Sequence, residues 1–388
     1  MLESILKNQT NYFLKLQSFR RYNSILDTCI DILNHDTILQ VSGLKYTWKT
    51  EIIAEMIRKT NMLNNFFYFH PEIDTWWYIK NSENLMLLMD YRIRTIGKID
   101  VVILEDCNKI KDIKSFILKL YASKNFKIVI IGNNIKIQWA KEINIFPLSY
   151  QNIKKDNYIY GGLPYVRVVP NNAYKKIFLR AVTSDILEKE IFIPYNIKNQ
   201  DNYRRMLVFL AWYDWPLSIR EMHRLLQSYD INISLITLIE YINTAITTQI
   251  LIKQELYDIK KKSLIHTQSS YQFWDLGIRN VFWNFNISWY INILACEYVS
   301  YNYRIYVWKF WTFQFDIYAI KWEKKIGVIM CQSEQKTEVK KFARRLSKVS
   351  WLTNRYVLVA DIEKLHIRKY TEHGVEICEL DTILQNTL

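Results

Sequence analysis

Between Thr37 and Gly132 the chain alternates short, unbroken apolar runs with segments whose apolar residues recur at helical spacing. The runs are TILQV (Thr37 to Val41), NFFYF (Asn65 to Phe69), DVVILED (Asp100 to Asp106) and FKIVIIG (Phe126 to Gly132). Between them lie TEIIAEMIRK, SENLMLLMDYRI and IKSFILKLYA, which read as amphipathic helices. Strands that are apolar on both faces belong to buried parallel sheets, and parallel neighbours need crossover helices. The alternation therefore predicts an α/β domain with helices on both faces of the sheet.

From Tyr203 the pattern changes. RRMLVFLAWY, PLSIREMHRLL and NISLITLIEYINTAI read as three helices, the second opening on a capping box formed by Ser218 and Glu221. An extended pair, QILIKQELY and YQFWDLG, flanks Lys260, Lys261 and Lys262, giving three helices and a ribbon as in a winged helix. Beyond Trp289, strand-like runs YRIYVWKF, FQFDIYAIKW, KIGVIM and RYVLVA surround one amphipathic helix, EVKKFARRLSK. Its apolar stripe is Val339, Phe342 and Leu346, and its other side carries Lys340, Lys341, Arg344, Arg345 and Lys348.

Composition narrows the class. The 388 residues leave room for roughly two to three domains, each with its own core. A net charge of +14 favours polyanionic partners, and a solvated basic surface is the alternative. Five scattered cysteines without a C-x-x-C pair argue against a disulfide framework and fit a reducing, cytoplasmic setting. Six scattered histidines form no ligand cluster, and no apolar run is long enough to span a membrane.

The segment VSGLKYTWKTEI follows the first strand and opens the first crossover helix. It fits G-x-x-x-x-G-K-[ST] except that Trp48 stands where the second glycine belongs. In such a loop, backbone N–H groups wrap phosphate oxygens at a helix N-terminus, the lysine adds charge and the hydroxyl binds Mg²⁺. The candidate binding residues are Gly43, Lys45, Tyr46, Thr47, Trp48, Lys49 and Thr50. A second feature fits the same chemistry, since VVILEDC ends a strand in Glu105 and Asp106. Phosphoryl-transfer sites of this type place an aspartate on the metal and a glutamate on the attacking water. Here the order is reversed, which moves each carboxylate by about one methylene. Glu105 is the candidate metal ligand with Thr50, Asp106 the candidate water-orienting group, and Asn133 or Asn134 the contact to a terminal phosphate.

The order LQVSGLKYTWKTEI, VVILEDC, KIVIIGNN, INIFPLSYQN, YIYGGLPYV, a helix-turn-helix and SYQFWDLGIRN resembles the AAA+ ATPases of bacteria and archaea that carry a C-terminal restriction-endonuclease-like domain of unknown function. The resemblance implies a P-loop domain over residues 1–155, a helical connector over 156–202, a winged helix over 203–285 and a nuclease-like α/β domain over 286–388. It also implies ATP and Mg²⁺ as cofactors. Arg92, Arg94 and Arg180 are candidates by position for an arginine acting across subunits, should the chain form an oligomer.

In the nuclease-like region the resemblance calls for an early glutamate, then E-x-D and E-x-K on neighbouring strands. Glu297 and Asp316 are retained, whereas Gln314, Met330 and Gln332 replace the remaining acids and the lysine, so cleavage activity is not expected. The third helix of the winged-helix reading, NISLITLIEYINTAITTQ, has no basic residue. Contact with duplex DNA would then run through basic surfaces such as Lys260 to Lys262, without sequence readout. Trp212, Trp215, Trp274, Trp308 and Trp311 could stack on bases, with core packing the commoner role. Two functions compete: an ATP-binding protein with weak or no hydrolysis, and a pseudoenzyme serving as a DNA- or protein-binding scaffold.

Overall fold

The computed structural model describes residues 2–16, 23–35, 38–73, 79–133, 135, 137–153, 155–213, 215–283, 289–310, 313–331, 335–360, 370–372 and 374–388. Asn134, Trp311 and Gln332 lie outside the described residues, and of Gln314 only the backbone is described. The chain divides into two compact units, Met1–Phe146 and Pro147–Leu388.

The first unit contains α1 (Leu2–Lys15), α2 (Asn23–Asn34), β1 (Leu39–Ser42), α3 (Lys49–Lys59), β2 (Phe66–Phe69), α4 (Ser82–Ile96), β3 (Val101–Glu105), α5 (Ile113–Ser123), β4 (Lys127–Ile131) and β5 (Lys141–Asn144). The strands form one sheet in the order β2-β3-β4-β1-β5, with every neighbouring pair parallel. Alternate residues of each strand feed two cores. Phe67, Phe69, Val102, Leu104, Ile128 and Ile130 pack with α4 and α5. Tyr68, Val101, Ile103, Val129 and Ile131 pack with α2 and α3 on the opposite face. The predicted α/β layering is present. The sequence reading did not include α1, whose stripe Ile5, Leu6, Gln9 and Phe13 is interrupted by an amide. Nor did it include β5, a half-exposed edge strand of sequence KEIN.

The second unit opens with α6 (Pro164–Arg167), α7 (Asn172–Ile186), α8 (Gln200–Trp212), α9 (Ile219–Ser228) and α10 (Leu235–Thr247). The antiparallel hairpin β6 (Leu251–Asp258) and β7 (Ser263–Phe273) follows, and Leu217, between α8 and α9, bridges Ser269 of β7. After α11 (Leu276–Phe282) and α12 (Trp289–Ser300) come β8 (Arg304–Phe310), β9 (Phe313–Lys321), β10 (Lys324–Cys331), α13 (Lys336–Ser347), β11 (Asn354–Val359), β12 (Tyr370–Glu372), β13 (Val375–Cys378) and α14 (Leu380–Thr387). Strand β8 pairs in parallel with β6, so the hairpin and the later strands make one eight-stranded sheet. The segments drawn at 203–285 and 286–388 thus share a sheet. Val339, Ala343 and Leu346 of α13 are fully buried against it, and Lys341, Arg344 and Lys348 are exposed.

The GGLP and WDLG segments interlock. Asp275 caps α11 by accepting from Ile278 N–H (3.0 Å), and its second oxygen accepts from Gly162 N–H (2.6 Å). Backbone crowds this point: a Cβ on Gly162 would lie 2.2 Å from Leu148 O, and one on Gly277 would lie 2.3 Å from Tyr160 O. Burial raises the Asp275 carboxyl, and the backbone N–H groups and Arg167 oppose the rise. These residues are therefore accounted for by packing. Asp275→Ala removes a helix cap and strands the buried Gly162 N–H, so it is expected to destabilise the protein by about 2–4 kcal/mol. A denaturant titration in which the midpoint did not fall would contradict this account.

Candidate functional site

The chain leaves β1 through α3 to the far edge strand β2, returns through β3 to β4 beside β1, and then passes to β5 on the other side. At this reversal of strand order the segments after β1, β3 and β4 emerge together. Open α/β sheets bind ligands outside the carboxyl ends of their strands at such a point.

The segment after β1 is shaped by three residues in positive φ. Gly43 has φ 148°, and a Cβ there would meet Ile145 O at 2.3 Å, so only glycine fits. Tyr46 and Trp48 have φ 70° and 60°. Trp48 thus takes the left-handed conformation that glycine adopts without strain, a choice costing an L-residue roughly 1–2 kcal/mol. Its indole is 8% exposed. The backbone course expected of a glycine is kept although the residue is not. Lys49, the first residue of α3, folds back so that its Nζ donates to Gly43 O (3.0 Å) and Leu44 O (2.9 Å). Thr47 Oγ1 donates to Leu44 O (2.6 Å), and Lys45 pairs with Glu72 at 3.7 Å. The first N–H groups of α3 have no acceptor within the helix, and they carry the positive end of its dipole. The outcome is a curled loop with a buried ammonium at its centre.

The two acids of β3 face this loop. Glu105 Oε1 accepts from Thr50 Oγ1 (2.6 Å), and Oε2 accepts from Tyr68 OH (2.7 Å). Burial and the nearby Glu105 keep the Tyr68 phenol protonated, as a donor must be. Asp106 takes a left-handed conformation, φ 47°, and its Oδ1 lies where a Cβ on Gly132 would stand, 2.6 Å away. That glycine makes room for the carboxylate. Burial, with Glu105 beside it, raises the Asp106 carboxyl; His70, Lys49 and Lys45 oppose the rise.

His70, just after β2, joins the group, with Nε2 4.0 Å from Glu105 Oε1 and 3.9 Å from Asp106 Oδ2. Among the described residues, His70, Glu105 and Asp106 bring three ligating atoms within 4.8 Å of one another. The Glu72 N–H donates to His70 Nδ1 (2.9 Å), so the neutral ring carries its proton on Nε2 and presents a donor to the acids. A cation at this edge would then rest on oxygens, Thr50 Oγ1 and Glu105, a donor set suited to Mg²⁺. Gln9 of α1 fixes His70 through both ends of its amide, Nε2 to His70 O and Oε1 from His70 N, each 2.9 Å. Tyr12 stacks on Tyr68 at 6.2 Å, and burial with the charges of Glu105 and Glu51 pushes its phenol up to about 12.

Asn133 makes a matching clamp, its Oδ1 accepting from Gly43 N–H (2.9 Å) and its Nδ2 donating to Gly43 O (3.0 Å). The structure therefore brings Gly43, Lys49, Thr50, Glu105, Asp106 and Asn133 together, with Asn133 bonded to the loop backbone. His70, Tyr68 and Gln9 were not among the sequence candidates. The position of His70 one residue beyond an apolar strand was the available signal, since ligands gather at strand ends.

Glu297 on α12 is 1% exposed; one oxygen accepts from Tyr150 N–H, and Oε2 has no hydrogen-bond partner among the described residues. Asp316 Oδ2 accepts from Met330 N–H (2.6 Å). On α10 the exposed face carries Ile236, Ile239, Glu240 and Asn243. Trp308 is fully buried, Trp212 packs against Phe209 and Trp283, and Trp215 is exposed. No described helix is long and apolar enough to cross a membrane.

No family model matches the chain. An uncharacterized protein of Haemophilus influenzae is 20% identical over 285 residues, which is 66% of this chain and 71% of that protein. Among solved structures, a Walker-type ATPase of Pyrococcus abyssi superposes with a TM-score of 0.50 at 10% identity, covering 70% of this chain and 99% of its own. That likeness places the fold, with its five-stranded parallel sheet, among P-loop ATPase folds.

Burial raises the Glu297 carboxyl from 4.5 to about 7, with the Tyr150 N–H opposing. A carboxyl raised on folding leaves stability intact below its unfolded value and lowers it as pH climbs through the folded one. Glu297→Gln keeps an acceptor for Tyr150 and removes the charge. It is expected to match the wild type at pH 4 and to be more stable by about 3 kcal/mol at pH 8. Equal denaturation midpoints at both pH values would show that the carboxylate is not held against its ionisation.

Proposed function

We propose that the first unit is a nucleotide site that binds ATP with Mg²⁺ and turns it over slowly or not at all. The observation that supports this reading is the 2.6 Å contact of Thr50 Oγ1 with Glu105, beside a lysine already buried among the loop carbonyls. A P-loop site requires its hydroxyl and its acidic strand end on one cation, and here the two meet. Lys49 would leave the carbonyls of Gly43 and Leu44 for phosphate oxygens, and the loop from Lys45 to Thr50 would offer its N–H groups. Mg²⁺, which Thr50 and Glu105 would hold, would supply positive charge to the phosphates. Asp106, with its raised carboxyl, would orient water, and Asn133 would keep the loop in place through Gly43. The reversed acids support slow turnover, because displacing a catalytic group by about 1 Å can cost ~10²-fold in rate.

A second reading, that of a pseudoenzyme scaffold, draws on how fully these side chains are satisfied within the protein: both Glu105 oxygens are taken, and Lys49 has two carbonyls. In the second unit we read α8 to α10 with the β6–β7 hairpin and the Leu217 bridge as a winged helix. We read the later strands as a nuclease-like domain without cleavage activity, because Glu297 serves the core. The exposed Lys260 to Lys262 fit contact with duplex DNA through phosphates rather than base edges.

Calorimetric titration with Mg-ATP separates the two readings. Wild type is expected to bind, and Lys49→Ala to lose at least tenfold in affinity, as removal of a charge-assisted phosphate contact predicts. Trp48→Gly is expected to bind at least as well as wild type. Binding that appears only in Trp48→Gly would make the native loop a disabled one, and unchanged affinity in Lys49→Ala would remove the site assignment.

A further inference from the structure

The hairpin joining β9 to β10 departs from what a stable turn favours in three ways. Lys321 and Lys324 are directly paired, leaving Trp322 and Glu323 as a two-residue loop. Trp322 has φ 53° at the first loop position, where hairpins of this length favour glycine or asparagine. Its side chain is 90% exposed, an arrangement that wastes the burial a large aromatic ring normally provides. The pairing also sets two like charges opposite each other, which destabilises a ladder. Local rules broken together in this way collect at functional positions.

The surroundings define what would compensate. Lys321 donates to Tyr301 O (2.7 Å) at the base of the turn. Lys325 is anchored through Thr353, whose hydroxyl accepts from its N–H (2.9 Å), and its ammonium lies 5.7 Å from the centre of the Trp351 ring. Tyr301 and Trp351 are themselves partly exposed, at 37% and 38%. Lys321 and Lys324 share one face of the pair near Tyr301, Lys325 and Trp351 lie on the other, and Trp322 stands at the turn between them. We propose that this hairpin is a contact site for single-stranded nucleic acid, with an unpaired base stacked on Trp322 and flanking phosphates on the three lysines.

A base face matches the indole, and the polyanionic backbone matches the lysines. Duplex DNA offers the indole no free base face. An anionic membrane would attract the lysines, but insertion calls for a wide apolar face, and the tip presents one indole beside Glu323. The site is separate from the nucleotide reading of the first unit and does not depend on it.

The test uses the full chain, without nucleotide, and a fluorescein-labelled oligothymidylate of about twenty nucleotides, followed by anisotropy at two or more salt concentrations. Trp322→Asn suits the turn and deletes the indole. It is expected to keep or raise the melting temperature while weakening oligonucleotide affinity about 5- to 100-fold, the range of a lost base stack. Lys324→Glu is expected to flatten the salt dependence by one or two phosphate contacts. Trp322→Tyr should recover most of the affinity. The proposal is overturned if wild type fails to bind, or if Trp322→Asn binds the oligonucleotide like wild type. It is equally overturned if Trp322→Asn loses binding only to vesicles containing phosphatidylserine, which would mark a membrane contact.

Discussion

Gly43 is held by an amide clamp, with Asn133 bonding both its N–H and its carbonyl. That pair of bonds joins the end of β1 to the segment after β4. The first unit's other candidate groups depend on the junction. The Gly43 carbonyl also takes the Lys49 ammonium, so the loop, the lysine and the neighbouring strand share one hub. A carbonyl has two lone pairs, and both are used here. Through the loop the hub sets the start of α3, and through α3 it sets Thr50 against Glu105.

The same device recurs. Gln9 holds the backbone of His70 through both ends of its amide, and Asn292 holds the backbone of Phe273, accepting from its N–H at 2.9 Å and donating to its carbonyl at 2.8 Å. A primary amide can satisfy one donor and one acceptor of a strand end at once, which no charged side chain does. Each clamp sits where an element ends and its backbone would otherwise be buried without partners. In a chain with eight glycines, such clamps and left-handed residues such as Trp48 and Asp106 shape the loop ends. They keep the candidate site ordered while its acids face one another at short range.

Much of the first unit was legible because buried parallel strands are apolar over their full length. VVILE and KIVII announced β3 and β4 within a residue or two of their ends. The edge strand KEIN and helix α1 carried no such signal, since an exposed edge tolerates charge and α1 places Gln9 within its buried stripe. The candidate site was legible through Lys49, Thr50, Glu105 and Asp106, whose spacing after strands reports chemistry. Tyr68 and His70 were not, because an aromatic and an imidazole at a strand end are ordinary until something faces them. In the second unit the place of Glu297 was not legible: its spacing says nothing of burial, and the structure makes it a core side chain.

The sequence by itself determined the alternation of elements and the placing of the loop before α3 and the acids after β3. These are local matters, carried by residue type and spacing. Tertiary structure alone decided that Trp48 keeps a glycine's backbone, that both ends of the Asn133 amide serve Gly43, and that Gln9 reaches His70. The clamp partners lie 90 and 61 residues apart, so no local period encodes them. They exist because the order of strands in the sheet brings distant segments to one edge, where each buried backbone group must find a partner.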